Sequence, residues 1–290
     1  MTVAAAAPAS GGRRRRFGKS GALPGFGLAL GYALTWLGLV VLLPLAALFL
    51  RASEAGVAGF TETLADGRVR HALWLSFGVS AIAAVTATLA GVVIAWALTR
   101  YSFPGRRAVD AMVDLPFALP TAVAGIALAA LYAPDGWLGA PLARLGWQVV
   151  YNPVGIFIAL VFIGLPYAVR TVQPLIAELD RELEEAAATL GASRWQTVFQ
   201  VIAPPLVPAA LTGLALAYAR ALGEYGSVIF IAGNLPGVSE IAPLLIVIKL
   251  SEFDYTGATV IAVIMLAMAF LMLLAINLIQ AWSRRRMGHA

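Results

Sequence analysis

Six long apolar stretches dominate the chain, at residues 26–50, 72–98, 112–133, 153–173, 205–232 and 256–281. A helix needs about 20 apolar residues to cross a bilayer, so each is long enough to span it with some tilt. Between them lie shorter polar intervals. The longest polar interval in the middle of the chain, Asp180 to Pro204, differs in pattern from the rest. It opens with Asp180, Glu182, Glu184 and Glu185 in six positions, continues through Ala186-Ala187-Ala188, and reaches Gly191. Asp180 is placed to cap a helix, and acids in the first turn are favoured by the helix dipole. Gly191 falls where a left-handed residue ends a helix. Ser193-Arg194-Trp195-Gln196 reads as a capping box that opens a second helix. The interval therefore predicts helix–turn–helix, with a first helix of about 10 residues whose alanines give it a smooth side.

Prolines punctuate the apolar stretches. Pro116, Pro120, Pro134, Pro166, Pro174, Pro204 and Pro205 stand at or near predicted span ends, and each removes a backbone donor. Broken backbone at membrane depth is tolerated where it is buried in protein or lines a water-filled cavity. Small residues such as Ala122, Ala124, Gly125, Ala127, Gly213, Ala215 and Ala217 permit close helix packing. These features fit a polytopic bundle, and an all-α integral membrane protein is the expected class.

Composition agrees. Hydrophobic residues make up 61% of the chain and charged residues 12%, about half the charged share of a soluble domain. Mean hydropathy is +0.86. There is no cysteine, so disulfide and thiol chemistry are excluded. His71 and His289 are too few and too far apart for a histidine metal site, and no metal or other cofactor is expected. The net charge of +5 is explained by membrane topology rather than by nucleic acid. Basic residues crowd into the N-terminal tail (Arg13 to Arg16, Lys19), residues 99–111, residues 170–204 and the C-terminal tail. The intervening loops carry only Arg51, Arg68, Arg70, Arg144 and Lys249. This bias places both termini and the 180–204 stretch on the cytoplasmic side.

Residues 1–24 read as a disordered basic tail and 284–290 as a second cytoplasmic tail. Gly18-Lys19-Ser20 echoes a phosphate-binding loop, but the required first glycine falls on Arg13 and no strand precedes it. Arg14 to Lys19 echo a twin-arginine export signal, but the apolar segment behind is too long for one and five more spans follow. An uncleaved first span is expected, with residues 25–71 forming that span and the loop after it.

One span contains charge. Arg220 and Glu224 are four apart, so on a helix they share a face and can pair. An arginine at mid-bilayer costs roughly 2.5–3.5 kcal/mol or more. The pair either neutralises itself inside the bundle or lines a passage, where Arg220 would offer positive potential to an anion. Spacing alone leaves both open. The loop at 233–255, with Glu240, Lys249, Glu252 and Asp254, shows no cluster that would bind a solute by itself.

Glu185-Ala186-Ala187, three residues, Gly191, nine residues, Val201 and then Ala203-Pro204 resembles the EAA motif of permeases of ATP-binding cassette importers. Val201 stands for the usual isoleucine and Ala203 for the usual leucine. Four further stretches are similar to the T-type permease subunits of bacterial sulfate/thiosulfate importers. These are Leu115–Gly125, Arg170–Pro174, Arg220–Gly226, and Val228–Asn234 followed by Glu252–Tyr255. The similarity covers roughly residues 25–283. It implies a six-helix type I importer permease, with residues 72–283 as its transmembrane domain and cytoplasmic coupling helices at 180–204. It also implies Glu185, Ala186, Ala187, Gly191 and Pro204 as contacts to the ATPase, and Arg220 and Glu224 as candidates for the pathway. The partners implied are a paralogous W-type permease, two cytoplasmic ATPase subunits and a periplasmic binding protein, within the inner membrane. The substrate implied is sulfate or thiosulfate, with molybdate or tungstate as the alternative in the same class. A secondary anion transporter is the alternative of another class, but no inverted repeat is visible. No catalytic motif is present, and the resemblance places nucleotide hydrolysis on another chain.

Overall fold

The structure is a computed structural model and describes residues 25–286. The expectations for residues 1–24 and for 287–290 lie outside the described residues. Helix α1, Phe26–Ser53, follows Gly25, whose φ of 99° is left-handed. It contains a π-helical turn at Gly38–Leu42. Pro44, one residue beyond Leu43 that closes the turn, has no N–H for the α-helical ladder, which is where such a bulge relieves the missing bond. Among the described residues, those up to Leu50 form one compact unit and those from Arg51 onward a second.

The second unit begins with α2, Gly56–Ala65, a ten-residue helix where the hydropathy pattern marks only a loop. Asp66 then caps α3, Gly67–Arg100, by accepting from the Arg68 backbone N–H at 2.8 Å. At 34 residues, α3 begins at Gly67, well before the predicted start at 72, and ends at Arg100, just past the predicted end at 98.

The predicted span at 112–133 is not one helix. It is broken into the end of α4, Arg106–Val113, the single turn α5, Leu115–Ala118, and α6, Thr121–Tyr132. Leu119 is extended, with ψ of 134°, as the residue before a proline prefers to be. Pro120 therefore stops α5 and lets α6 start in a new direction. After the short α7, Gly139–Arg144, comes α8, Pro153–Glu178, capped by the Asn152 side chain. The apolar pattern ends this span at 173, before Pro174. The helix instead passes through Pro166 and Pro174, because Val169, Val172 and Ile176 on the same helix are completely buried and packing outweighs the lost bonds.

The polar interval forms α9, Arg181–Thr189, and the start of α10, Arg194–Leu222. A second π turn, Thr197–Ile202, precedes Pro204-Pro205, repeating the arrangement in α1. The predicted span 205–232 is also interrupted, since α10 ends at Leu222 and the short α11, Val228–Ala232, follows a loop. Helices α12, Ala242–Ser251, and α13, Tyr255–Arg286, complete the chain. Among the described residues every regular element is helical. Five of them, α1, α3, α8, α10 and α13, are long and apolar enough to cross a membrane.

Helices α3, α8 and α10 form the centre of the second unit. They approach closely because small residues face one another. A methyl at Gly91 would stand 2.7 Å from Ala168 Cβ, and one at Gly213 would stand 3.1 Å from Ala168 Cα. One turn away along α8, Gly164 faces Ala217 and Ala87 at ordinary contact distance. In lipid, where apolar side chains gain little by leaving one another, close packing of this kind holds helices together. Gly213 and Ala217, both expected to mark packing surfaces, lie at these contacts.

Candidate functional site

Two places carry the residues singled out above. At one end of the bundle, α9 and the start of α10 form a knuckle. Asp180 accepts from the Glu182 N–H at 3.1 Å and opens α9. The helix closes with a pair of reversed bonds, Ala192 N–H to the Ala187 carbonyl and Gly191 N–H to the Ala188 carbonyl, both 3.0 Å. This is a Schellman closure, and it requires the left-handed conformation that Gly191 adopts at φ 81°. Ser193 and Gln196 then form the reciprocal capping box of α10.

The knuckle presents its residues unequally. Glu185, Ala186, Ala188 and Gly191 are exposed, and Leu190 and Trp195 are 87% and 72% exposed. The Trp195 and Phe199 rings stack, with centroids 5.9 Å apart, on the exposed surface. Ala187, in contrast, is buried against the bundle, and Pro204 is half-buried behind the π turn. The smooth alanine side is thus divided: Ala187 faces inward and its two neighbours outward. Glu184 also faces inward, where it is paired with Arg100 at 3.2 Å. It is therefore not among the acids left free for an outside partner.

The second place is the loop after α10. Glu224 lies beyond the end of the helix, so the pair is not the i, i+4 helical pair that spacing predicts, yet Arg220 Nη1 still reaches Glu224 Oε2 at 2.5 Å. The other carboxylate oxygen accepts from Ser227 twice, from the backbone N–H at 2.9 Å and from the hydroxyl at 3.1 Å. Glu224 is 2% exposed and fully occupied. The Arg220 side chain keeps 31% of its surface, so its guanidinium is neutralised on one side and accessible on the other. Ser227 was not singled out by sequence. A hydroxyl three residues after a buried acid is the only trace it leaves there.

The broken helix packs on this loop. A methyl at Gly125 would stand 2.7 Å from Ser227 Cα, and the backbone of Gly226 lies against Thr121. Two of the stretches that carried the family resemblance, Leu115–Gly125 and Arg220–Gly226, are therefore in direct contact. Arg170, from a third, anchors the base of the broken helix. Its guanidinium forks onto Asp114 at 2.8 and 2.6 Å and donates to Asp110 Oδ1 at 2.7 Å. Hydrogen bonding from Arg170 holds the Asp110 carboxyl below its usual pKa. The charge pattern groups Arg170 with the loop at 170–204, but it stands on α8, where it joins that helix to α4 and to the turn before α5.

At the far end of α3 from the knuckle, Arg68 makes a two-pronged contact with Glu240, at 2.8 and 2.7 Å. Glu240 is buried, and the nearby Ala242 N–H donates to Ser76 Oγ at 2.7 Å. Lys249 pairs with Asp254 at 3.0 Å. The acids of the 233–255 loop are thus structural attachments in large part.

Comparison with known proteins gives a consistent result. The profile of the family described as "Binding-protein-dependent transport system inner membrane component" matches residues 87–289. The sulfate transport system permease protein CysT of Escherichia coli (strain K12) is 45% identical over 268 residues, covering 92% of this chain and 97% of that protein. A probable sulfate transport system permease protein of Nephroselmis olivacea is 46% identical over 259 residues, covering 89% of this chain and 91% of its own length. The CysT protein of Synechocystis is 46% identical over 247 residues, 85% of this chain and 86% of that one. Among solved structures, a bacterial alginate ABC transporter bound to an alginate-loaded periplasmic protein superposes with a TM-score of 0.71 at 18% identity, covering 90% of this chain and 94% of that one. A second structure of a bacterial alginate-importing ABC transporter gives 0.73 at 17% identity, with 89% and 94% covered. The fold is therefore that of ABC importer permeases, and the chain belongs to the family of inner-membrane components of binding-protein-dependent transport systems.

Proposed function

We propose that this chain is a channel-forming permease subunit of an ATP-driven importer for sulfate and thiosulfate. The observation that carries the reading is the likeness, at about 45% identity over most of both chains, to sulfate permeases. The knuckle supports it from the chemistry. An exposed ridge of Glu185, Ala186, Ala188 and Leu190, with the Trp195–Phe199 stack beside it, is suited to lie in a groove of another protein. The chain itself carries no nucleotide-binding motif, so that protein would be the ATPase.

In this reading, Glu185, Ala186 and Gly191 form the docking surface, and Ala187 and Pro204 hold that surface onto the bundle. Closure of an ATPase pair around ATP draws the knuckle inward. The helices respond as rigid bodies and expose the pathway to the opposite side. Arg220 offers its accessible face to the oxyanion, while Glu224, held by Ser227, keeps the guanidinium in place. A W-type partner would supply the other half of the pathway and a periplasmic binding protein the captured solute. Both termini and the knuckle would lie in the cytoplasm, with residues 72–283 as the transport domain.

The test is uptake of labelled sulfate by vesicles containing the whole assembly, with ATP inside and binding protein outside. ATP-dependent uptake competed by thiosulfate supports the reading. Uptake of molybdate in preference to sulfate overturns the substrate assignment, and uptake without ATP overturns the class.

A further inference from the structure

Arg100 ends α3, and its side chain is only 10% exposed although it lies at the edge of the bundle. It makes three separate contacts. Nη2 is paired with Glu184 on α9 at 3.2 Å. The same nitrogen donates to the Leu179 carbonyl, at the end of α8, at 2.8 Å. The guanidinium also lies 5.3 Å from the Trp96 ring one turn back on α3. A carbonyl at a helix end lacks an intrahelical partner, and a planar guanidinium can serve it and a carboxylate together. One side chain therefore joins the ends of α3 and α8 to α9.

Helix α9 needs such a joint. It connects to α8 through the extended residues Leu179 and Asp180, and to α10 through the left-handed Gly191. Both links are places where the backbone can pivot. Packing ties α9 to the π turn of α10, and among the described residues the Arg100–Glu184 ion pair links α9 directly to α3. Adjacent acids divide the work: Glu185 faces outward and Glu184 turns in to Arg100.

We propose that Arg100 is a positioning residue of the transport cycle, a strut that makes α3 and α8 follow α9 when α9 is displaced. Resting on the reading of the knuckle as the ATPase contact, it assigns to Arg100 and Glu184 the transmission of that push. Loss of the strut leaves docking and hydrolysis in place and weakens what hydrolysis accomplishes.

The experiment measures ATP hydrolysed per sulfate imported by the complete assembly in vesicles, together with the ATPase that copurifies. In Arg100→Ala the ratio rises at least fivefold, with hydrolysis within twofold of wild type and the ATPase still bound. Glu184→Gln raises it less, because the Leu179 contact survives. The exchange Arg100→Glu with Glu184→Arg lowers the ratio relative to Arg100→Glu alone. An unchanged ratio in Arg100→Ala, or hydrolysis and import falling in proportion, overturns the strut. Wild-type vesicles that import nothing with ATP overturn the functional reading beneath it.

Discussion

Gly125 and Ser227 meet backbone to backbone: a methyl group on Gly125 would stand 2.7 Å from Ser227 Cα. This contact brings the broken α6 against the loop that orients Glu224, and hence Arg220. Overpacking a tight site typically costs about 1–3 kcal/mol. Gly125→Ala should therefore lower the melting temperature of the purified assembly and depress uptake. Gly78→Ala is the control, because nothing lies within 4 Å of its added methyl, and it should change neither.

Glu224 is buried and accepts from three donors. Glu224→Gln leaves Arg220 without its counter-charge and turns one acceptor into a donor. Because Arg220 is about one-third exposed, the loss should be about 2 kcal/mol, below that of a fully buried pair. Thermal unfolding measures it. Arg220→Ala should reduce sulfate uptake by at least about tenfold, the scale of one charge-assisted hydrogen bond to an anion, while the ATPase still copurifies. Full uptake in Arg220→Ala would leave that arginine a packing residue.

Gly191 needs its left-handed backbone but has open space around it. Alanine there costs about 1 kcal/mol through φ alone, and asparagine costs less. Gly191→Asn should therefore retain more uptake than Gly191→Ala. Gly191→Asp should abolish uptake with the protein still inserted, because it places a charge beside the exposed ridge. Equal uptake in the Asn and Asp variants, measured in vesicles, would contradict the docking role.

Asp110 sets a pH dependence. Its carboxyl titrates below the ordinary value of 3.8 because Arg170 donates to it. The stability it contributes is complete above that ordinary value and is lost as pH falls through the lower, folded value. Asp110 is substantially exposed, so the effect is small. Melting curves taken at falling pH should show wild type converging on Asp110→Asn only below about pH 4.

The knuckle was legible in sequence because its signals are local. Asp180, Gly191 and the Ser193–Gln196 box each act within six residues, and all three adopt the expected geometry. Gly125 and Gly213 were legible as small packing residues, whereas Gly91 and Gly164 were not; spacing gave the Arg220–Glu224 pair but not that Glu224 lies past the end of the helix. Breaks inside apolar stretches were harder, since hydropathy sees Leu119-Pro120 and Gly223 as interruptions too brief to divide a span. The ten residues of α2 were hidden in a stretch too short and too mixed to read as a helix. Longer-range partners left no trace: Arg100 and Glu184, Arg68 and Glu240, and Arg170 and Asp114 are brought together only by the fold.

The proposed mechanism requires that an ATP-hydrolysing chain grip the knuckle. A photoreactive residue at position 190, in place of the exposed Leu190, tests this in the intact assembly. The expected result is a crosslink to the ATPase subunit that changes in yield when ATP is bound. A crosslink only to lipid or to the other permease, in an assembly that imports sulfate with ATP, would contradict it.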